Sequence, residues 1–188
     1  MNDELVHPTT TAAWRKWLER HHATSRGVWL VSWKSHTGKK SIGYDDAVTE
    51  ALAFGWIDSK QRTLDPDRTA LWYCPRKPSS GWSGTNKARV EKLLAEGRMA
   101  PAGQRAVDVA KENGAWSLLD EVEDLVVPPD LAAAFRRHKG SAGHWESFPR
   151  SARRALLAWI VQAKKPETRA KRIAEVAERA AKGERANQ

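Results

Sequence analysis

One apolar run near the N-terminus constrains the fold more than any other part of the chain. Residues 27–34 alternate bulky apolar side chains between two faces. One face carries Trp29, Val31 and Trp33, and the other carries Val28 and Leu30. This period of two predicts a β-strand. Because both faces are apolar, we expect both sides of the strand to be partly covered.

Two more strands are predicted at residues 56–64 and 69–76, on either side of the turn at residues 65–68. The turn sequence Asp-Pro-Asp-Arg is typical of a hairpin connection. Alternation predicts that one face of the first of these strands carries one tryptophan and three charges: Trp56, Asp58, Lys60 and Arg62. Such a face is too polar for a core, so we interpret it as solvent-exposed or as part of a site.

Helical patterns occupy most of the remaining chain. Apolar stripes at i, i+3, i+4 spacing predict helices that begin or end near Thr10, Gly55, Gly97, Asn113, His138, Ala163 and Gly183. Residues 116–127 are ambiguous and residues 141–143 are a predicted loop. The fold class is therefore predicted as α+β, with a small antiparallel sheet and helices in residues 1–126 and an all-helical part in residues 127–188.

Composition excludes several classes of protein. Apolar residues make up 40% and charged residues 29% of the chain, enough to bury a core, so general disorder is excluded. No apolar stretch has the length of a membrane helix. The N-terminus is acidic without an apolar run behind it, so we expect no secretory signal and a cytoplasmic location. The single cysteine, Cys74, excludes an internal disulfide framework.

The net charge of +9 is concentrated at the C-terminus. From Arg150 onward there are eleven Lys and Arg against four Glu, a balance of +7 that leaves +2 for residues 1–149. Such a tail indicates either nucleic acid or another acidic partner, or a solvated helix that keeps the protein dispersed. A homodimer through the last helix is a further alternative.

A ligand site is predicted where unusual residues are densest, in residues 55–58 and 75–86. There a basic Pro/Ser/Gly-rich loop leads into a helix start, whose free N–H groups favour anions. The candidate ligand-binding residues are Trp56, Asp58, Arg62, Arg76, Lys77, Ser80, Trp82, Ser83 and Asn86. The alternative is structural: Ser83 caps the helix, Trp82 packs on it, and Asp58 pairs with Arg62 or Arg76.

Signals for catalysis and for metal binding are weak. Asp58 is the best candidate for a general base if the protein is an enzyme, with Arg76 as the anion clamp. Cys74 has no histidine near it in sequence that would activate its thiol. The adjacent pair His21 and His22 cannot both face one metal ion from a helix. We expect binding rather than catalysis, with no metal and no cofactor.

Two separated segments resemble known bacterial families. Residues Ala53–Asp58, Pro75–Pro78 and Ser80–Ser83, with Asn86, resemble the YdeI-like family. The run Ala163–Ile173 resembles the OmdA domain, named as bacteriocin-protection, YdeI or OmpD-associated. The resemblance covers nearly the whole chain, with the OmdA-like part at about residues 127–183. It implies protection against bacteriocins or antimicrobial peptides and brings no established catalytic residue.

These observations lead to two hypotheses. The first is a cytoplasmic bacterial protein that binds a small anionic or aromatic ligand at the predicted Trp/Arg/Asp pocket, in antimicrobial-peptide or envelope-stress protection. The second is a binder of nucleic acid or an acidic partner through the basic C-terminal helices. The second lacks a tryptophan-rich stacking surface in the region that it uses, where Trp159 is the one aromatic residue after Arg150.

Overall fold

The structure, a computed structural model, describes residues 4–187. Residues 1–3, on which the expectation about a secretory signal partly rests, lie outside the described residues. Contacts divide the chain into two compact units. The first unit contains the residues up to 80 together with residues 85–116, and the second contains residues 81–84 and those from 117 onward. The predicted domain boundary after residue 126 stays a prediction.

A four-stranded mixed sheet with helices forms the first unit, so the predicted α+β class is confirmed. The strands are β1 (Leu5–Val6), β2 (Val28–Trp33), β3 (Trp56–Thr63) and β4 (Arg68–Pro75). Their order is β1-β2-β4-β3, and β1 runs parallel to β2 while the other neighbours are antiparallel. The helices of this unit are α1 (Thr11–His21), α2 (Tyr44–Ala53), α3 (Gly84–Ala95) and α4 (Pro101–Glu112).

The central strands β2 and β4 give the sheet two different faces. Directly opposite residues of antiparallel strands lie on the same face. Val28 pairs with Tyr73, and this inner face contacts helix α1, where the Trp14 ring lies edge-on to Tyr73 at 5.4 Å. Trp29 pairs with Trp72 on the outer face, and their rings lie 5.3 Å apart. The predicted alternation of β2 is therefore confirmed.

The side chains of strand β3 do not alternate between the two faces of the sheet along its whole length, so one prediction for this strand fails. A β-bulge shifts its register between Asp58, which pairs with Tyr73, and Gln61, which pairs with Leu71. The extra residue moves Arg62 and Lys60 to the outer face, where both cations lie near the Trp29 ring. The prediction that Asp58 shares a face with Lys60 and Arg62 is wrong.

The second unit is helical, as predicted for the C-terminal part. Its helices are α5 (Asp120–Glu123), α6 (Pro129–Arg137), α7 (Ser141–Ser147), α8 (Arg150–Val161) and α9 (Pro166–Ala181). The stripe of α9 is buried at Ile173, Val176, Ala177 and Ala180, so this polar helix packs along one edge. The predicted loop at residues 141–143 is wrong, since buried Trp145 anchors a short helix there.

A buried carboxylate holds α2 against its neighbours. Glu50 is 1% exposed and forms ion pairs with Arg15 of α1, at 2.8 Å, and with Arg98, which follows α3. The Arg15 side chain also donates to the Arg98 carbonyl oxygen at 3.1 Å. Two cations and this extra hydrogen bond compensate the cost of removing one carboxylate from water.

Glu50→Ala should lower the free energy of unfolding by about 2 to 4 kcal/mol. Removing one partner of a buried pair typically costs about 3 to 5 kcal/mol. We expect a smaller loss here, because both arginines are partly exposed and water can solvate their charges once the carboxylate is gone. Urea denaturation followed by circular dichroism measures the change. The matched control is Glu19→Ala, an exposed partner of the same Arg15, for which we expect a change below about 0.5 kcal/mol. Equal effects of the two variants would contradict the assignment.

Candidate functional site

A pocket of about 260 Å³ lies between the inner face of the sheet and the start of α2. Strands β2, β3 and β4 supply one wall, and Ile42 with the first turn of α2 supplies the other. The lining residues are Leu30, Ser32, Ile42, Tyr44, Ala47, Gln61, Thr69, Leu71 and Tyr73. Apolar walls with a few polar groups are typical of small-molecule sites in proteins.

Tyr73 is the most unusual of these lining residues. The side chain is 0% exposed, and its hydroxyl finds no hydrogen-bond partner among residues 4–187. A buried polar group without a partner costs about 1 to 3 kcal/mol, so such groups are rare in folded proteins. Burial raises the pKa of Tyr73 strongly, and the nearby Asp58 carboxylate raises it further. The hydroxyl is therefore neutral at pH 7 and keeps its capacity to donate and accept, on a residue that lines the pocket.

Tyr44 and Asp58 lie beside Tyr73. Tyr44, at the first position of α2, donates its hydroxyl to Oδ2 of Asp58 at 3.1 Å, and its side chain is largely exposed. Burial and the Asp58 carboxylate raise the pKa of Tyr44 as well. The register of β3 against β4 produces this arrangement, because Asp58 is directly opposite Tyr73. Both tyrosines of the chain thus line one pocket next to one carboxylate.

Arg89 of α3 binds Asn86 and lies near the Tyr44 ring. Its guanidinium binds Asp45 through Nε at 2.9 Å and Asn86 Oδ1 through Nη1 at 2.7 Å. The same guanidinium lies 6.0 Å from the centroid of the Tyr44 ring. Of the sequence-predicted site residues, Asp58 therefore bonds a side chain that lines the pocket, and Asn86 is linked to that side chain only through Arg89.

Trp56, also predicted as a site residue, is a core residue. Its side chain is 1% exposed, and Nε1 donates to the His22 carbonyl oxygen at 3.2 Å. The ring packs edge-on against Trp17 at 5.8 Å. Arg62 lies on the outer face with its guanidinium 4.0 Å above the Trp29 ring, away from Asp58.

The predicted residues after β4 form a turn. Arg76 donates through Nη2 to the Ser80 carbonyl oxygen at 3.3 Å, and the Ser80 amide donates to the Lys77 carbonyl oxygen at 3.0 Å. Burial lowers the pKa of Arg76 to about 10, and the Asp58 charge opposes this shift. Trp82, which is 2% exposed, and Ser83 belong to the second unit. The predicted cluster is therefore shared between the two units.

Sequence analysis missed Tyr44, Tyr73 and Arg89. The signal for Tyr73 was present, because Thr69, Leu71 and Tyr73 alternate on one face of the predicted second strand of the hairpin. Nothing local in the sequence indicates that the Tyr73 hydroxyl lacks a partner among the described residues 4–187. Among the described residues there is no cluster of three or more His, Cys, Asp or Glu side chains able to hold a metal ion.

The basic C-terminal region uses many of its arginines internally. Arg154 pairs with Glu123 at 2.9 Å, Arg169 with Asp130 at 2.7 Å and Arg153 with Glu146 at 2.6 Å. Arg172 donates to the carbonyl oxygen of Trp159 and lies over its ring. The surface charge available to a partner is therefore lower than the local balance of +7 suggests.

Comparison with protein families assigns both parts of the chain. Residues 6–106, more than half of the chain, match the family described as Domain of unknown function (DUF8412). The chain belongs to this family. Residues 124–183 match the family described as Bacteriocin-protection, YdeI or OmpD-Associated. The expected OmdA resemblance is thereby confirmed over the C-terminal part, while the DUF8412 family matches the N-terminal part.

Comparisons with curated proteins and with solved structures give no match. Within residues 4–187, every helix is too short or too polar to cross a bilayer. The expected cytoplasmic location stays a prediction.

Replacing Tyr73 with Phe should stabilise the ligand-free protein by about 1 kcal/mol, because it keeps the ring and removes a buried hydroxyl that has no hydrogen-bond partner within residues 4–187. For a chain of this size the midpoint of thermal unfolding should rise by about 2 to 4 °C. Tyr44→Phe is the control: its hydroxyl bonds Asp58 in a solvent-accessible position, and no such gain is expected. A loss of stability in Tyr73→Phe would show that the hydroxyl has a partner.

The two tyrosines should resist ionisation while the protein is folded. Their folded-state pKa values are raised, so at pH values above about 10 the unfolded chain releases protons that the folded chain retains. Their contribution to stability is complete below pH 10 and is lost as the pH rises further. Tyrosinate absorbance at 295 nm should therefore appear together with unfolding. Ionisation of both tyrosines near pH 10 with an unchanged circular dichroism spectrum would contradict the burial of Tyr73.

Proposed function

We propose that this member of the DUF8412 family binds a small, neutral aromatic ligand in the pocket beside Tyr73. The observation that carries the proposal is the fully buried Tyr73 hydroxyl, which has no hydrogen-bond partner among residues 4–187. A ligand with one polar group supplies the missing hydrogen bond, and its ring fills the apolar part of the pocket. The proposed role is binding, and Asp58 as a general base stays a prediction.

The size of the pocket supports a ligand of one substituted ring. Benzene occupies a cavity of about 150 Å³, and sites for drug-sized ligands begin at about 300 Å³. The pocket measures about 260 Å³, which leaves room for a ring and a short substituent. Leu30, Ile42 and Leu71 supply apolar contact. Gln61, whose amide donates to Thr69 Oγ1 at 3.0 Å, adds a second polar group at the strand edge.

The charges around the pocket favour a neutral aromatic ligand over an anionic ligand. The Asp58 carboxylate lies at the Tyr44 side of the pocket and opposes a negative ligand. The nearby cation, Arg89, already binds Asp45 and Asn86. The expected ligand is therefore neutral at pH 7, with a hydroxyl or carbonyl group for Tyr73.

The second unit contains a larger pocket of about 400 Å³, lined mostly by apolar residues of α5, α8 and the segments around them. Its acidic side chains, Asp120 and Glu121, are exposed, and Arg169 is held by Asp130. It therefore offers less chemistry to select a ligand than the pocket beside Tyr73. The description of the C-terminal family names bacteriocin protection, and a role in antimicrobial-peptide or envelope-stress protection is a further part of the proposal.

Phenol and toluene, two probes of nearly equal size, test the proposal by NMR titration of the tryptophan side-chain N–H signals. Both should bind, and phenol should bind more tightly because it can bond the Tyr73 hydroxyl. Tyr73→Phe should lower the affinity for phenol by about tenfold, the equivalent of one hydrogen bond, and leave the affinity for toluene unchanged. Benzoate should bind more weakly than phenol because of Asp58.

The control is Thr24→Val, which removes an exposed hydroxyl outside the pocket and should change neither affinity. If phenol binds wild type and Tyr73→Phe equally well, Tyr73 does not select the ligand. If neither probe shifts any signal at millimolar concentration, the pocket is not a site for aromatic ligands.

A further inference from the structure

The outer face of the sheet combines tryptophans with cations. Trp29 and Trp33 of β2 and Trp72 of β4 lie on this face, and Lys60 and Arg62 reach it from β3 because of the bulge. The helices α1 and α2 lie against the opposite face, as the contact of Trp14 with Tyr73 and the lining of the pocket show. The outer face therefore combines several aromatic rings with cations, whereas the basic region after Arg150 has Trp159 as its one aromatic residue.

The cations of this face rest on the rings. The Arg62 guanidinium is 4.0 Å from the centroid of Trp29, and the Lys39 ammonium is 3.9 Å from the centroid of Trp33. The Lys60 ammonium lies between Trp29 and Trp72, at 5.4 and 5.6 Å. These are cation–π distances, which at exposed sites contribute about 0.5 to 1 kcal/mol each. Such weak contacts can be exchanged for stronger ones with a partner.

Among residues 4–187, no acidic side chain forms an ion pair with the three cations that lie closest to the tryptophan rings of the outer face. Lys39, Lys60 and Arg62 form no ion pair with any residue between 4 and 187, and Arg62 Nε, although buried, has no hydrogen-bond partner there. The acidic residues at one end of the face are occupied: Asp65 binds Arg68 at 2.7 Å, and Asp67 lies 3.2 Å from His36. The face therefore has charge complementarity with an anion.

We propose that the outer face binds single-stranded nucleic acid. Sites for single strands combine cations that follow the phosphates with aromatic rings on which bases stack, and both lie here within one sheet. Lys39 and Lys60 would turn from the rings to phosphates, which uncovers the half-buried rings of Trp33 and Trp72. Trp29, at 3% exposure, stays covered, and the Arg62 guanidinium above it offers a plane for a base.

Fluorescence anisotropy of a labelled oligothymidine of about 15 nucleotides tests this proposal, at 50 and 200 mM salt. Three cations predict a slope of about −2 in log affinity against log salt, at about 0.7 per phosphate neutralised on a single strand. The wild-type protein should therefore bind about twentyfold more weakly at 200 mM. A duplex of the same length, which has more charge but no exposed bases, should bind more weakly than the single strand.

Two triple variants with equal net charge separate the outer face from the C-terminal helices. Lys39→Ala/Lys60→Ala/Arg62→Ala should lose at least tenfold in affinity at 50 mM salt, along with most of the salt dependence. Lys164→Ala/Lys165→Ala/Lys171→Ala removes three exposed cations of the second unit and should lose less than threefold. Trp33→Leu, with circular dichroism to check the fold, should lower the affinity and leave the salt slope unchanged because it removes stacking and no charge.

Four results would overturn the proposal: no binding of the single strand by the wild type at 50 mM salt, equal losses in the two triple variants, a larger loss in the Lys164/Lys165/Lys171 variant, or tighter binding of the duplex. The third result would assign binding to the C-terminal helices. None of these outcomes depends on the pocket beside Tyr73, which lies on the opposite face of the sheet.

Discussion

The pairing of β3 with β4 is the constraint on which the rest of the first unit depends. β4 is a central strand, so its register fixes both of its neighbours. The bulge after Asp58 then places two charged residues of one strand on opposite faces. Asp58 reaches Tyr44 on the inner face, and Arg62 reaches Trp29 on the outer face. Without the bulge, Arg62 would lie on the inner face, beside the pocket, where burying a guanidinium would cost free energy.

The first unit contains two buried polar groups of opposite character. Glu50 has two arginine partners and fixes α2 between α1 and the segment after α3. Tyr73 is as deeply buried, and its hydroxyl has no partner among residues 4–187. The Glu50 carboxylate, which has two partners, is part of the scaffold, whereas the Tyr73 hydroxyl keeps a hydrogen-bonding capacity that residues 4–187 do not use. This contrast is the reason for proposing a binding site at Tyr73 and a structural role for Glu50.

Charge in the second unit has a different distribution from the one that composition suggests. The arginines of α8 and α9 pair with acidic residues of earlier helices, such as Glu123 and Asp130. These pairs join helices that are far apart in sequence, and exposed pairs of this kind contribute little stability each. Cations that pair with no acidic residue between 4 and 187, combined with aromatic rings, are found instead on the outer face of the sheet. A formal count of +7 for the tail is therefore a poor guide to where an anionic partner binds.

The sequence by itself determined the elements and much of the pattern of burial. The alternation in β2, the hairpin around residues 65–68 and the apolar stripe of α9 all follow from local periodicity, which a single chain segment carries in full. The tertiary structure alone decided the site. The position of the bulge depends on how β4 pairs, so the phase of alternation along β3 is not a local property, and the prediction for Lys60 and Arg62 was wrong. Likewise, only the packing of α2 on the sheet brings Tyr44 to Asp58 and leaves the Tyr73 hydroxyl without a hydrogen-bond partner in the part of the chain that the structure describes.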